Sequence, residues 1–170
     1  MTIIYETIHG SRLYNLHHEN SDYDYFRVID VAKKTTQIIT DEEDALTLPF
    51  NSFMDRLNHG SPQSLEALFS CQATIDDFPY LRQGFQIDRE ETFNTYMRTI
   101  KAFAHSTKDN LKRQRHAFRL SMNLNDLYRY GYFNPTLDTS QRNRVLSVTE
   151  PIDPEELLKQ ISAEGIFTIL

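Results

Sequence analysis

The stretch HGSRLYNLHHENSDYDYFRVI, residues 9–29, constrains the chain more than any other. It follows a short β-branched run, Thr2 to Ile8, that reads as a strand. Gly10-Ser11 opens a brief helical segment, with Ser11 placed to cap it by accepting a first-turn backbone N–H. Asn20-Ser21 reads as a turn, and Asp22 to Val31 as a second strand. Residues two apart on a strand point the same way, so Asp22 and Asp24 present two carboxylates together while Tyr23 and Tyr25 face away. A divalent cation relieves the repulsion between them, and Mg²⁺, with Mn²⁺ as the substitute, favours such oxygen ligands. A third carboxylate from a neighbouring strand completes a site of this kind. Asp44 is the candidate, because it opens the probable strand DALTL. Gly10 lets a phosphate approach the backbone, and a helix start there offers free N–H groups to an anion. Ser11 adds a hydroxyl donor and Arg12 a cation. Metal and phosphate elements together describe a nucleoside triphosphate site.

Lys33-Lys34 and Asp41-Glu42-Glu43 read as turns around a third short strand, Thr35 to Thr40. From Pro49 the apolar period changes. Phe50, Phe53, Met54 and Leu57 recur at three and four residues, as on an amphipathic helix. Ser64 to Phe69 is a short apolar element, helix or strand. Asp76 to Gly84 reads as a loop or a short helical turn. One long helix starts at Asp88-Arg-Glu-Glu and runs to about His105; a second, with Asp109 as its cap, runs to about Tyr130. Residues 131–147 are polar and read as irregular. Pro154-Glu-Glu starts a final helix that ends near Gly165. Strands followed by helices indicate an α+β chain: a small mixed or antiparallel sheet with a helical C-terminal half packed on it.

The chain carries a net charge of −6, which excludes a generally basic coat for long nucleic acid. Its 170 residues and 39% hydrophobic content suit one core. No run approaches the ~20 apolar residues of a membrane helix, and the N-terminus does not read as a signal peptide. The single Cys71 suits a reducing compartment as a buried or inert thiol. A cytoplasmic protein is the expectation.

Gly10-Ser-Arg-Leu-Tyr-Asn-Leu followed by Ser21-Asp-Tyr-Asp resembles the signature of the DNA polymerase β nucleotidyltransferase superfamily. More narrowly, it is similar to predicted nucleotidyltransferases of the RNA-ligase-associated type, many of them from phages and bacteria. The resemblance extends through Asp44 to Phe69, where SPQSLEALF matches a family stretch, and it assigns the third carboxylate to Asp44. Asn15 stands where the family has glycine, and Phe26 interrupts its usual Arg-Gly. The resemblance implies a nucleotidyltransferase core over 1–86, with a helical region over 87–170.

LKRQRHAFRLSMNLNDLYRYG resembles the family's basic helix. Lys112, Arg115 and Arg119 form one stripe by helical spacing, and Lys112 and His116 share a face. Lys112, His116 and Arg119 are the phosphate-binding candidates, with Arg115 toward solvent; a solvated charged face is the plain alternative. His17-His18 reads as loop surface. Phe93, Tyr96, Phe103 and Phe118 read as core.

The expected activity is transfer of a nucleoside monophosphate from an NTP to an acceptor hydroxyl or phosphate, on RNA, a protein or a small molecule. Asp22, Asp24 and Asp44 would hold the metal. The alternative is a nucleotide-binding regulatory or toxin–antitoxin-like module of the same fold. A metal-dependent nuclease uses carboxylates similarly but leaves Gly10-Ser11 without a role.

Overall fold

The computed structural model describes residues 2–30, 36–39 and 44–165, with only the backbone for 36–39. The turns expected at Lys33-Lys34 and at residues 41–43 lie outside the described residues. Five strands form one mixed sheet in the order β3-β4-β2-β1-β5. They are β1 (Ile3–His9), β2 (Asp24–Ile29), β3 (Thr36–Ile39), β4 (Asp44–Pro49) and β5 (Ala73–Asp76). β1 runs antiparallel to both β2 and β5. β2 and β4 are parallel, and β3 returns antiparallel on β4. The described helices are α1 (Gly10–Leu13), α2 (Phe50–Asn58), α3 (Pro62–Leu68), α4 (Pro79–Gly84), α5 (Arg89–Ala104), α6 (Asn110–Tyr130), α7 (Thr139–Leu146) and α8 (Pro154–Glu164).

The class is α+β, as the order of patterns implies. The period-two alternation of β1 buries Tyr5, Thr7 and His9, and the facing residues of β2 bury Phe26 and Val28. An aromatic ladder fills the space between this face and the helices. His9 lies against Phe26, Phe26 against Phe53, and Phe53 stacks on Phe78, with centroids 5.6–5.8 Å apart. Tyr5 then stacks on Phe78 at 5.1 Å. One continuous buried cluster joins these rings to Ile100, Leu120, Leu124, Leu157 and Ile161 of the helical half.

Polar contacts also tie the two halves. Thr136 Oγ1 donates to the Leu13 carbonyl, and Asn15 Nδ2 donates to the Leu137 carbonyl. The α5–α6 hairpin follows its caps and spacing: Asp88 accepts from Glu91 N–H, and Tyr96, Ile100, Phe118, Leu120 and Leu124 are buried.

Several elements depart from the sequence reading. The element left open as helix or strand is a helix, α3, which starts at Pro62 and ends at Leu68. Residues 73–76 form β5, an edge strand too short and too exposed to show alternation. Part of the stretch read as irregular is α7. Its start is a capping box, in which the Asp138 side chain accepts from Gln141 N–H and the Gln141 side chain accepts from Asp138 N–H. The second strand begins at Asp24, two residues later than expected. Asp109 precedes α6 in a left-handed conformation without a side-chain cap bond. Cys71 is exposed rather than buried. Among the described residues no helix is long and apolar enough to cross a membrane.

Candidate active site

β1 delivers its chain to the end of the sheet where β2 and β4 begin. His9 pairs with Asp24, and Asp24 pairs with Asp44 on the adjacent parallel strand. Directly paired residues share a face, so both carboxylates lie on the helix-covered face, at the end where the apolar core stops. Asp24 is half-buried there and Asp44 is exposed. Burial and then the neighbouring Asp44 raise the Asp24 pKa, Asp22 adds slightly, and His9 and Lys112 oppose them.

Gly10 turns the chain beside this pair with φ +63°. A Cβ at this position would stand 1.9 Å from Asp24 Oδ2. Both conformation and space therefore require glycine. The single-turn helix begins at Gly10 itself, and Ser11 lies inside it rather than capping it. The Ser11 hydroxyl has no partner among the described residues and lines the cavity. Asn15 takes φ +63°, a conformation glycine enters freely and asparagine tolerates. Its carbonyl accepts from Arg142 Nε at 2.8 Å.

A cavity of about 720 Å³ opens between this rim and the first turns of α6. Ser11, Asp22 and Asp24 form one wall, and Lys112, Arg115 and His116 the other. Leu16, Leu111 and Leu146 supply apolar surface, and His18 and Asn20 lie at the loop side. Lys112 makes no ion pair among the described residues. Arg115 donates Nε to the Val148 carbonyl at 2.9 Å, which holds the guanidinium at the wall.

Three expected assignments change. Arg12 is committed locally: its guanidinium donates to the Ser21 and Asp22 carbonyls and stacks on Tyr23 at 3.8 Å. It shapes the loop that carries Asp22, and the cavity lining does not include it. Arg119 is buried instead of facing the cavity, and Arg115 takes the wall position expected to face solvent. One further helical turn carries residue 119 under α1, where Glu66 waits. Asp22 precedes the strand, so it lines the cavity from a loop rather than beside Asp24 on a strand face. Among the described residues no three acidic, His or Cys side chains group closely enough to hold a metal ion by themselves.

Beneath the cavity lies a buried ionic network that sequence reasoning missed. Arg119 Nη1 donates to Glu66 Oε1 at 2.6 Å, and Tyr14 OH donates to Glu66 Oε2 at 2.6 Å. His9 Nε2 lies 3.4 Å from the same oxygen, and Arg119 stacks on Tyr14 at 3.6 Å. Glu66 is wholly buried, which by itself raises its pKa, but Arg119, His9 and Tyr14 together lower it to about 2. The signal was a glutamate inside the apolar run Leu65-Glu-Ala-Leu-Phe. A charge at such a position needs a buried partner. His116 is the link to the cavity. Burial, Arg119 and Lys112 hold its pKa down to about 3.

No protein-family model matches the chain and no curated protein matches it, so the arrangement of side chains around this cavity is what speaks for its chemistry.

Proposed function

We propose that the protein is a metal-dependent nucleotidyltransferase, moving a nucleoside monophosphate from an NTP to an acceptor hydroxyl or phosphate. The observation that carries this reading is the pairing of Asp24 with Asp44 beside the Gly10 turn, with Asp22 and Asp24 facing Lys112 and Arg115 across a nucleotide-sized cavity whose lining stops short of Asp44.

The donor set fits a divalent cation. Two carboxylates sit together, and burial and then the neighbouring Asp44 raise the Asp24 pKa. Mg²⁺ commonly takes one or two carboxylates and completes its shell with substrate phosphates and water, so three protein ligands are not needed. Asp24 and Asp44, with Asp22 close by, would hold the ion, Mg²⁺ or Mn²⁺, which would neutralise charge at the triphosphate and at the attacking oxygen. The chain's own groups do the rest. Lys112 and the Arg115 guanidinium offset the phosphate charge, and the Ser11 hydroxyl donates to a phosphate oxygen. The acceptor oxygen attacks the α-phosphorus in line, the bond to the β-phosphate oxygen breaks, and pyrophosphate leaves. The exposed Asp44 carboxylate accepts the acceptor's proton.

The test is incubation of the four labelled NTPs with Mg²⁺ and either total RNA or total protein. Pyrophosphate release and a labelled acceptor are expected. Asp24→Asn and Asp44→Asn should each lower turnover by about 10³-fold or more, the scale of a lost transition-state contact. Full activity in both variants overturns the assignment. Binding of NTP without turnover points instead to the regulatory module.

A further inference from the structure

We propose that His116 offers the cavity an uncharged N–H donor at Nε2, with Arg119 as the positioning residue that fixes this tautomer. Arg119 Nε lies 3.3 Å from His116 Nδ1. A guanidinium has donors only and keeps its proton in proteins, so Nδ1 must accept. The ring proton is then on Nε2. Nδ1 is occupied, and Nε2 has no partner among the described residues although His116 lines the cavity. Nε2 is also not one of the buried polar atoms left unbonded, which leaves it open to a ligand.

Arg119 cannot swing away. Glu66 and Asn123 accept from its Nη1 at 2.6 and 3.3 Å, and its plane lies on Tyr14. The ring of His116 is fixed too, edge-on to Tyr14 at 5.8 Å and against Phe103 at 6.2 Å. The groups around it are Lys112 and Arg119 on α6, Glu66 on α3, His9 on β1, Tyr14 on α1 and Phe103 on α5. Cations outnumber the single carboxylate, and that carboxylate is already bonded to Arg119, Tyr14 and His9. The proton that would make His116 cationic is therefore unfavourable.

His116 thus works as a fixed neutral donor and neither as a phosphate-binding cation nor as a proton source for the leaving group. Naming a phosphate oxygen as its acceptor rests on the nucleotidyl-transfer reading; the tautomer does not.

The direct test is long-range ¹H–¹⁵N NMR on the full chain labelled at histidine, with His116→Gln used to assign the signal. One protonated and one bare ring nitrogen, with Nε2 protonated from pH 8 to pH 5, is the expected pattern. An imidazolium pattern at pH 6, or a proton on Nδ1, overturns the proposal. In Arg119→Met combined with Glu66→Met, where no buried charge is left alone, His116 should show mixed tautomers; an unchanged spectrum removes Arg119 from its positioning role. Binding of inorganic tripolyphosphate supplies the second arm. His116→Phe should weaken it about fivefold or more, while His116→Gln, which places an amide N–H near Nε2, should stay within about twofold. Equal effects in the two variants overturn the donor role. The spectrum is read without turnover, so loss of the enzymatic reading leaves this inference standing. Turnover with a charged His116 would overturn only this inference.

Discussion

The cluster around Glu66 and the cluster around Asp24 use the same kinds of side chain and treat their charges in opposite ways. Below, Glu66 is sealed from water, and each oxygen has a close partner in Arg119 or Tyr14. Above, Asp24 and Asp44 sit side by side without an ion pair among the described residues, while Lys112 lies across the cavity from Asp24. A paired, dry ionic network holds the two halves of the molecule in register. An unpaired, half-wet one retains unspent electrostatic energy that a ligand can relieve. The contrast separates architecture from chemistry within a few side chains.

Glu66→Ala should have the largest effect on stability. It strands Arg119 in the core, and loss of one partner of a buried pair costs about 3–5 kcal/mol. Urea unfolding measures it, and a cost below ~1 kcal/mol would mean that the network is not structural. The double replacement Glu66→Met with Arg119→Met should cost much less, because no charge is left alone.

Acid should have the next effect. The folded pKa of His116 lies near 3, below its ordinary 6.5, so between these values the unfolded chain binds the extra proton. The contribution is complete above pH 6.5 and falls by roughly 1.4 kcal/mol for each pH unit below it. His59 and His105, raised by backbone carbonyls, act in the opposite sense. The difference in pH dependence between the native chain and His116→Gln isolates the His116 term; identical curves would contradict the buried neutral ring.

Gly10→Ala tests the junction between the two clusters. It forces a Cβ into the Asp24 carboxylate at a left-handed position and should cost about 1–2 kcal/mol while sharply lowering turnover. An active, fully stable Gly10→Ala protein would show that Asp24 is free to move aside.

The smallest shift carries the opposite sign. Asp24→Asn removes a charge whose pKa is raised, so in metal-free buffer the folded state should gain up to about 1 kcal/mol at neutral pH, on the scale of one exposed charge pair. The sign follows because a raised carboxylate pKa means that ionisation disfavours the fold. Addition of Mg²⁺ should raise the melting temperature of the native chain and leave that of Asp24→Asn nearly unchanged. Equal shifts in both would place the cation elsewhere.

Much of this was legible in local sequence because its causes are local. Strand periodicity put Asp24 and Asp44 on two strands, which pair at these residues, whereas Asp22, expected beside Asp24 on one strand face, precedes the strand. Caps and apolar spacing bounded α5 and α6 within about a residue of their observed ends. α7 was hidden by its polar composition, although Asp138 and Gln141 stand at capping-box spacing before it. β5 was hidden because an edge strand of four mostly exposed residues leaves no alternation to read. Arg115 and Arg119 were assigned the wrong way round, since helical spacing puts both on one stripe and does not say which end of it meets the cavity.

The sequence alone determined that a glycine turn, a strand starting with an aspartate and a second such strand would occur, because each follows from backbone sterics and side-chain period over a few residues. Only the tertiary structure decided that Arg119 dives under α1 to meet Glu66, that Arg115 stays at the wall, and that His116 lines the cavity with its Nδ1 taken by Arg119. These outcomes depend on which partner stands opposite each turn of α6. For Arg119 that partner is Glu66 on α3, 53 residues earlier in the chain, where no local periodicity reaches.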